Sequence, residues 1–396
     1  MPHRGDPFMA EQARKFMIVA GEASGDRHAA RVVEELRELF PEAEFFGAAG
    51  PRMRAAGVRG VVRSDDLSIV GLIEIAKALP IFLRARKDLL AAARTEKPDV
   101  AILVDFPDFN LKLARSLKKH GIPVVYYVSP QIWAWRAYRI RSIRHYVDLL
   151  LAILPFEKGW YAERGIQHVE YVGNPLAREV HATEEKPEFC GRHGLDPERP
   201  IVALLPGSRH KEIVRILPEL LRTAARMLQK NSDIQFVIAL AFERHRSEID
   251  AAMARLDESE RRLLQDVRSV FGETYNALNA ADAAAVTSGT ATLETGIIGT
   301  PMAIVYKSSA INYKLLRPLI RVEHFGLINL IAERRLAAEL IQDDFTPESL
   351  AAELFRLLSP EVNGNVRKEL KAAAEKLGHG GAAKRAAAAI QKLLNK

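Results

Sequence analysis

The sequence has little of several features that would narrow its class. It contains one cysteine, Cys190, among 396 residues. A single cysteine excludes an intramolecular disulfide and favours a reducing compartment, so we expect a cytoplasmic protein. No uninterrupted apolar run reaches the ~18 residues of a membrane-spanning helix. The nearest run, residues 68–83, is interrupted by Glu74, Lys77 and Pro80. The polar N-terminus lacks the apolar core of a secretory signal, and we expect it to form a loose extension.

Motifs of several enzyme and binding classes are also missing. The sequence has no His/Cys/Asp cluster at metal-ligand spacing, no Walker A loop and no GxSxG nucleophile turn. It has no recognisable nucleic-acid-binding module. We therefore expect no metal, no cofactor and no nucleic-acid partner. The formal net charge of +7 still favours anionic partners, such as phosphates or an acidic lipid surface.

Short apolar runs alternate with helical segments along most of the chain. The runs that predict strands are FMIVA, EFFGAA, VAILV, VVYY, LLLAI, VEYV, IVALL, FVIALA, AAAVT and MAIVY. Continuous apolar strands between helices indicate parallel sheets that are covered on both faces. A polar stretch from Pro175 to Pro200 separates two such series and is interpreted as a linker or domain entrance. The sequence therefore predicts an α/β protein with two doubly wound, Rossmann-like domains facing a cleft.

The segment LLPGSRHKEI predicts a phosphate-binding turn in the second series. Gly207 would let a ligand approach the backbone, and the helix that follows would present N–H groups and the positive end of its dipole. Ser208 and Arg209 add a hydroxyl and a guanidinium suited to a diphosphate. An ordinary strand-to-helix turn with a surface arginine would give the same pattern.

The segment VTSGTATLETG predicts a second turn of this kind. Ser288, Gly289 and Thr290 open a helix after a strand, and Glu294 lies one helical turn further on. A carboxylate there can accept both hydroxyls of a ribose. The alternative is a glutamate that caps the helix. Two phosphate-type turns in one domain favour a single nucleotide site.

The segment VDFPDFN places Asp105 at the end of a buried strand, where a carboxylate is costly without partners or a function. Asp105 can act as a general base, or it can accept hydrogen bonds from loop N–H groups. Its position alone slightly favours the second interpretation. Asp108 is expected to cap the next helix.

Three further segments have two interpretations each. AGEASGDRHA lacks the glycine spacing of a dinucleotide-binding motif and favours a loop that receives a second substrate. Ser24 or Asp26 is expected to cap a helix that begins near His28. YVSPQIWAWRAYRIR forms either a pocket wall with arginines for an anionic substrate or a buried segment followed by a solvated basic helix. Residues 68–90 form either a core helix, which the pattern favours, or an amphipathic segment at a membrane surface.

Taken together, these segments resemble the lipid-A-disaccharide synthase family. The matching segments are AGEASGD, AGPRM, IVGLIEI, DFPDFN, YVSPQIWAWR, LPFE, YVGNP, LLPGSR, SGTATLE and NLIA, in order from about residue 18 to residue 332. No single segment is specific, but the combination is.

The resemblance implies a GT-B fold (two Rossmann-like domains facing a cleft). The expected domains are an acceptor-binding, membrane-contacting domain over 16–174, a UDP-sugar-binding domain over 175–360 and a helical tail over 361–396. Whether the C-terminal helices cross back to the first domain stays open. The implied reaction joins UDP-2,3-diacylglucosamine to 2,3-diacylglucosamine 1-phosphate (lipid X), giving a β-1,6-linked disaccharide 1-phosphate and UDP by inversion. The resemblance also implies a peripheral protein on the cytoplasmic face of the inner membrane of a Gram-negative bacterium. Whether the protein forms a homodimer stays open.

The resemblance also implies roles for individual residues. Asp105 corresponds to the essential acidic residue, Ser208 and Arg209 to the diphosphate contacts, and Glu294 to the ribose ligand. Asn329 corresponds to a further donor-side residue, although its segment reads LIN where the family usually has LPN. Gly207, Ser288, Gly289 and Thr290 belong to the expected donor site as parts of the two turns.

Two other functions stay open from the sequence. One is a GT-B enzyme of the UDP-N-acetylglucosamine 2-epimerase type, which would need no lipid-facing segment. The other is a nucleotide-sugar-binding module without turnover, for which replacement of Asp105 would have no catalytic effect.

Overall fold

The computed structural model describes residues 13–64, 67, 72–308 and 323–395. These residues divide into two compact units. One consists of the chain up to Pro175 together with the segment from Gly381, and the other is Leu176–Gly380. The C-terminal segment 361–396, expected as one helical tail, is thus divided between the two units.

The first unit is built on a seven-stranded parallel sheet. Its strands are β1 (Lys15–Ala20), β2 (Glu44–Ala49), β3 (Arg59–Arg63), β4 (Val100–Val104), β5 (Val124–Tyr127), β6 (Leu149–Ala152) and β7 (Val169–Tyr171). Its helices before Pro175 are α1 (Ala23–Leu39), α2 (Pro51–Ala55), α3 (Leu72–Glu96), α4 (Pro107–Lys119), α5 (Ile140–Tyr146) and α6 (Glu157–Ala162). The strand order is β3-β2-β1-β4-β5-β6-β7.

Both faces of this sheet are covered, which explains its continuous apolar strands. Successive residues of β1 enter opposite cores: Met17 and Val19 pack on one face, and Phe16 and Ile18 pack on the other. The second core also contains Ile390 of the last helix, α17 (Ala382–Leu394). The C-terminal helix therefore packs against the first unit.

The second unit is built on a six-stranded parallel sheet. Its strands are β8 (Ile201–Leu205), β9 (Gln235–Leu240), β10 (Arg268–Phe271), β11 (Ala283–Thr287), β12 (Met302–Tyr306) and β13 (Ala338–Ile341). Its described helices are α7 (Leu176–Glu179), α8 (Lys186–His193), α9 (His210–Lys230), α10 (Arg246–Met253), α11 (Glu258–Leu263), α12 (Thr274–Ala280), α13 (Thr290–Ile298), α14 (Leu327–Ala332), α15 (Pro347–Leu358) and α16 (Pro360–Glu375). The strand order is β10-β9-β8-β11-β12-β13. The α/β class with two parallel sheets is confirmed.

The boundary between the two units lies between Pro175 and Leu176, which fits the interpretation of the stretch 175–200 as a domain entrance. The linker interpretation is wrong, because the stretch contains α7 and α8, and Phe189 and Cys190 of α8 are fully buried. The predicted helix start near His28 is also wrong, because α1 begins at Ala23. Asp26 lies inside that helix, and its carboxylate accepts hydrogen bonds from the backbone N–H groups of Gly50, Arg52 and Met53 at the start of α2. Asp26 therefore links the first two strand-to-helix turns.

Candidate active site

In the second unit, the two turns predicted from the sequence lie side by side. Strands β8 and β11 are neighbours, with Leu205 paired to Val286. The hydroxyl of Thr287 donates to the carbonyl of Leu205 over 2.8 Å, so the two strand ends are directly linked. The strand order changes direction between β8 and β11, which is where open α/β sheets bind ligands.

The first turn requires its glycine. Gly207 has φ +112°, and a Cβ there would lie 2.8 Å from Glu212 Oε2. Arg209 is the N-cap residue of α9, and its side chain is 71% exposed. Its Nη1 lies 3.2 Å from Glu212 Oε1, and the N–H of Ser208 donates to Glu212 Oε2 over 3.4 Å. The guanidinium is accessible to an anion, but Glu212 offsets part of its charge.

The second turn opens α13. Gly289 is the N-cap residue, with φ +148°, and Thr290 is the first, exposed residue of the helix. In the part of the chain that the structure describes, no side chain caps this helix, so the capping interpretation of Glu294 is wrong. Glu294 is half-buried instead, and Tyr275 Oη donates to its Oε1 over 3.2 Å. The Ser288 hydroxyl donates to the carbonyl of Phe325 over 2.9 Å.

A cavity of ≈ 380 Å³ adjoins Glu294. Its lining residues are His181, Thr183, Ala241, Gly272, Glu273, Thr274, Tyr275, Asn276 and Glu294. Most of these residues follow the ends of β9 and β10, on the same edge of the sheet as the two turns. The size is in the range of small-molecule sites. The sequence analysis missed Tyr275, although the glycine of FGETYN directly after a strand is the same signal that identified the other turns.

Asn329 lies in the interior of the second unit. Its Nδ2 donates to the Ala337 carbonyl and to Glu339 Oε1, and its Oδ1 accepts from the Ala337 N–H, each over 2.8 Å. Glu339 in turn accepts from the N–H groups of Phe325 and Gly326. Asn329 therefore supports the segment that receives the Ser288 hydroxyl, and its side chain is fully buried.

In the first unit, Asp105 lies directly after β4 in a left-handed conformation, with φ +47°. Three hydrogen bonds fix its backbone. Its N–H donates to Tyr127 O over 3.0 Å, while Tyr126 Oη and Asn110 Nδ2 donate to its carbonyl over 2.6 and 2.8 Å. The carboxyl group is thus held at the edge of the sheet by neighbours on β5 and α4.

The environment of Asp105 suits a base that works near neutral pH. Burial, and to a lesser degree the charge of Glu22, raise the pKa of Asp105 to about 6, against the opposing effect of a hydrogen bond from the Phe106 N–H. Glu22 follows the neighbouring strand β1, so both carboxyl groups lie where the strand order of this sheet changes direction. The Phe106 ring covers Gly21 so closely that a Cβ there would lie 2.3 Å from it.

Asp108 does not cap α4, so that prediction is wrong. The N-cap residue is Phe106, and Asp108 lies inside the first turn. Its carboxylate forms ion pairs with Arg136, over 3.0 Å, and with the buried guanidinium of Arg139. Asp108 therefore offsets the charge of two arginines that the sequence had suggested for an anionic substrate.

The segment after β5 is anchored by a residue that the sequence analysis missed. Glu157 is fully buried and accepts hydrogen bonds from Trp133 Nε1 and from the N–H groups of Ile153 and Leu154. Burial raises its pKa to about 7. Trp133 is buried, whereas Trp135 is exposed, with the Arg136 guanidinium 4.2 Å from its ring centre.

The apolar segment 68–90 lies partly outside the described residues. Its described part belongs to α3, where Leu89 is in the core and Leu79, Ile81 and Leu83 are exposed. The core interpretation therefore holds for the end of the helix around Leu89, while Leu79, Ile81 and Leu83 are exposed on its surface. Within residues 13–64, 67, 72–308 and 323–395, no helix has the length and apolar composition of a membrane span. The same residues contain no group of three His, Cys, Asp or Glu side chains arranged to hold a metal ion.

Comparison with known proteins decides the family. A family model described as lipid-A-disaccharide synthetase matches residues 16–393. The chain belongs to the lipid-A-disaccharide synthetase family. It is 44% identical over 386 residues to the lipid-A-disaccharide synthase of Syntrophus aciditrophicus, covering 97% of this chain and 99% of that one. It is 40% identical over 385 residues to that of Geobacter sulfurreducens, covering 97% and 98%.

Solved structures with other names have similar folds. A UDP-N-acetylglucosamine 2-epimerase from Neisseria meningitidis bound to UDP-GlcNAc superposes with a TM-score of 0.62 at 13% identity, covering 96% of this chain and 100% of that one. A calicheamicin glycosyltransferase gives 0.56 at 17% identity, covering 97% and 99%. These likenesses concern the fold alone and confirm the GT-B class for this member of the lipid-A-disaccharide synthetase family.

Proposed function

We propose that this enzyme, a glycosyltransferase of the lipid-A-disaccharide synthetase family, transfers 2,3-diacylglucosamine from UDP to the 6-hydroxyl of 2,3-diacylglucosamine 1-phosphate. The products are the β-1,6-linked disaccharide 1-phosphate and UDP. One observation carries the proposal within this family: two phosphate-type turns lie side by side in the second unit, next to a cavity that contains Glu294.

The second unit would hold the donor. The diphosphate would lie against Gly207, Ser208 and Arg209, where the start of α9 presents N–H groups and the positive end of the helix dipole. The ribose hydroxyls would bind Glu294, and the base would occupy the adjoining cavity of ≈ 380 Å³. Negative charge develops on the diphosphate as it leaves, and fixed donors at this turn would stabilise that charge.

The first unit would hold the acceptor and the base. Inversion requires the acceptor hydroxyl to attack the anomeric carbon on the face opposite the departing UDP. Asp105 would take the proton of that hydroxyl as the C–O bond forms. Its pKa of about 6 supports this role, because the group is mostly ionised at neutral pH yet more basic than an ordinary aspartate.

Both proposed substrates carry acyl chains, so the enzyme would work at a membrane surface. Exposed apolar side chains of α3 support this: Leu79 is 55% exposed and Leu83 is 57% exposed. Arg84, which is also exposed, lies beside them and would face anionic headgroups. We place the enzyme on the cytoplasmic face of the inner membrane as a peripheral protein.

The direct test is mass spectrometry of the products that the purified protein forms from both diacylated substrates. The proposal expects the disaccharide 1-phosphate and UDP in equal amounts, and neither product when one substrate is omitted. Turnover of UDP-N-acetylglucosamine alone to its 2-epimer would instead favour the epimerase-type function. Binding of the UDP-sugar without any product would favour a binding module.

A further inference from the structure

Two imidazole rings flank one carboxylate oxygen beside the first turn of the second unit. His210 Nδ1 lies 3.0 Å and His245 Nδ1 lies 2.9 Å from Oε1 of Glu248. The Ser247 hydroxyl donates to Oε2 over 3.0 Å. The hydrogen bonds from His210 and then His245 lower the pKa of Glu248 to about 2, so the group is a carboxylate at neutral pH. Because a carboxylate has no hydrogen to donate, each Nδ1 must carry one.

The two rings differ at their other nitrogen. His245 is buried, and Arg244 Nε donates to its Nε2 over 3.4 Å. The Nε2 of His245 is therefore already engaged. His210 is 69% exposed, and its Nε2 has no hydrogen-bond partner among the described residues. Of the two rings, His210 is therefore the one that can offer Nε2 to a ligand.

The position of His210 suggests what that ligand is. It is the first residue of α9 and directly follows Arg209, the N-cap residue. The positive end of a helix dipole favours anions at this point. Arg209 is already paired with Glu212, so a second cation at the helix start would strengthen the attraction for a diphosphate.

We propose that His210, oriented by Glu248, is a further diphosphate-binding residue of the donor site, an inference that rests on the function proposed above. In its protonated form, the ring donates from Nδ1 to Glu248 and from Nε2 to a phosphate oxygen. The diphosphate is common to the UDP-sugar and to UDP, so both should bind more tightly when His210 is protonated.

The charged and titratable groups around His210 come from its own helix and from the segment packed against it. The start of α9 carries Arg209, Lys211 and Glu212. The segment in and before α10, which packs against α9, carries Glu243, Arg244, His245, Arg246, Glu248 and Asp250. Arginine, lysine and carboxylate side chains ordinarily keep their charge between about pH 6 and 8.5. Histidine side chains ordinarily change charge between roughly pH 5 and 8.

The experiment compares UDP affinity by calorimetry for the wild-type protein and for His210→Ala at about pH 6 and about pH 8.5. The terminal phosphate of UDP titrates as well, so the informative quantity is the ratio of the two dissociation constants at each pH. We expect His210→Ala to weaken binding about 10-fold at the lower pH, the low end for a charge-assisted hydrogen bond. The ratio should approach 1 at the higher pH, where imidazole side chains are ordinarily neutral.

Two further variants separate binding from a structural role. Lys211→Ala removes an exposed cation one residue away. It should raise the dissociation constant of UDP, relative to the wild-type protein, by the same small factor at both pH values. Glu248→Gln should lose part of the affinity at the lower pH, because the ring loses its ionised partner. If His210→Ala does not fold, His210→Gln replaces it and should lose the same pH-dependent part of the affinity.

A ratio near 1 for the His210 variant at about pH 6 would overturn the inference. An equal loss at both pH values would also overturn it, since that result means that His210 only joins α9 to α10. If the wild-type protein does not bind UDP at all, the donor site itself is wrong, and the proposed function fails before His210 is tested.

Discussion

The Tyr126 hydroxyl donates to the backbone carbonyl of Asp105 over 2.6 Å. Tyr126 is fully buried on the neighbouring strand, and burial holds the pKa of its hydroxyl well above the ordinary range, so it remains a donor. This contact fixes the left-handed backbone on which the proposed base is carried. The position of Asp105 therefore depends on a residue that need not touch the substrate.

We expect Tyr126→Phe to lower kcat by about 10-fold and to reduce the free energy of unfolding by about 1–2 kcal/mol, because one buried hydrogen bond is lost. Steady-state kinetics and thermal unfolding would measure the two effects. The matched control is Tyr138→Phe, which removes the hydroxyl of an exposed tyrosine and should change neither. Unchanged kcat in Tyr126→Phe would show that this hydrogen bond does not position the base.

Arg209→Ala should weaken UDP binding by about 1.5 kcal/mol, the lower end for a charge-assisted hydrogen bond, because Glu212 already offsets part of the charge. Calorimetry would measure the change. Arg226→Ala is the control, since it removes another exposed arginine of α9 that pairs with Glu348. Equal UDP affinities in the two variants would exclude the assignment of the diphosphate to the first turn.

Replacing Leu79 and Leu83 with serine should reduce co-sedimentation with vesicles that contain anionic lipid. Both side chains are more than half exposed, so the fold should survive, and the loss of apolar contact should weaken membrane binding. Leu39→Ser, at an exposed position of α1, is the control. Vesicle binding that stays at the wild-type level would show that α3 does not contact the bilayer.

The pH dependence of kcat/KM should report the ionisation of Asp105. A base is active when it is deprotonated, and burial raises the pKa of this group to about 6. We therefore expect kcat/KM to fall as the pH drops through about 6, well above the range of an ordinary aspartate. A profile that stays flat down to about pH 4.5 would mean that no group with this raised pKa limits the reaction.

The strands and turns that the sequence predicts share one physical property. β1, β4, β8 and β11 are buried on both faces, and a continuous apolar run is visible without knowledge of their partners. β3, at one edge of its sheet, reads RGVVR and is half exposed, so its pattern does not distinguish it from a loop. Glycine after an apolar strand identifies the turns at Gly207 and Gly289 for the same local reason.

Residues whose roles depend on distant partners could not be found in this way. Glu157 accepts a hydrogen bond from Trp133, and Asp26 accepts one from Gly50. The partners in each pair are 24 positions apart in the sequence. All four residues lie in segments that match the family, but nothing in the local sequence indicates which of them are partners. Asn329 shows the opposite case, because its motif points to a ligand while its side-chain amide is engaged with Ala337 and Glu339.

The central claim is that Asp105, rather than Asp108, is the base. The most direct measurement is kcat for disaccharide formation by Asp105→Asn and Asp108→Asn, with UDP affinity measured in parallel. We predict that Asp105→Asn lowers kcat by about 10²–10⁴-fold, the usual contribution of a general base, and leaves UDP affinity unchanged. Asp108→Asn should lose less, because it weakens ion pairs with Arg136 and Arg139 while the base stays intact. Near wild-type kcat in Asp105→Asn, with turnover abolished in Asp108→Asn, would contradict the account.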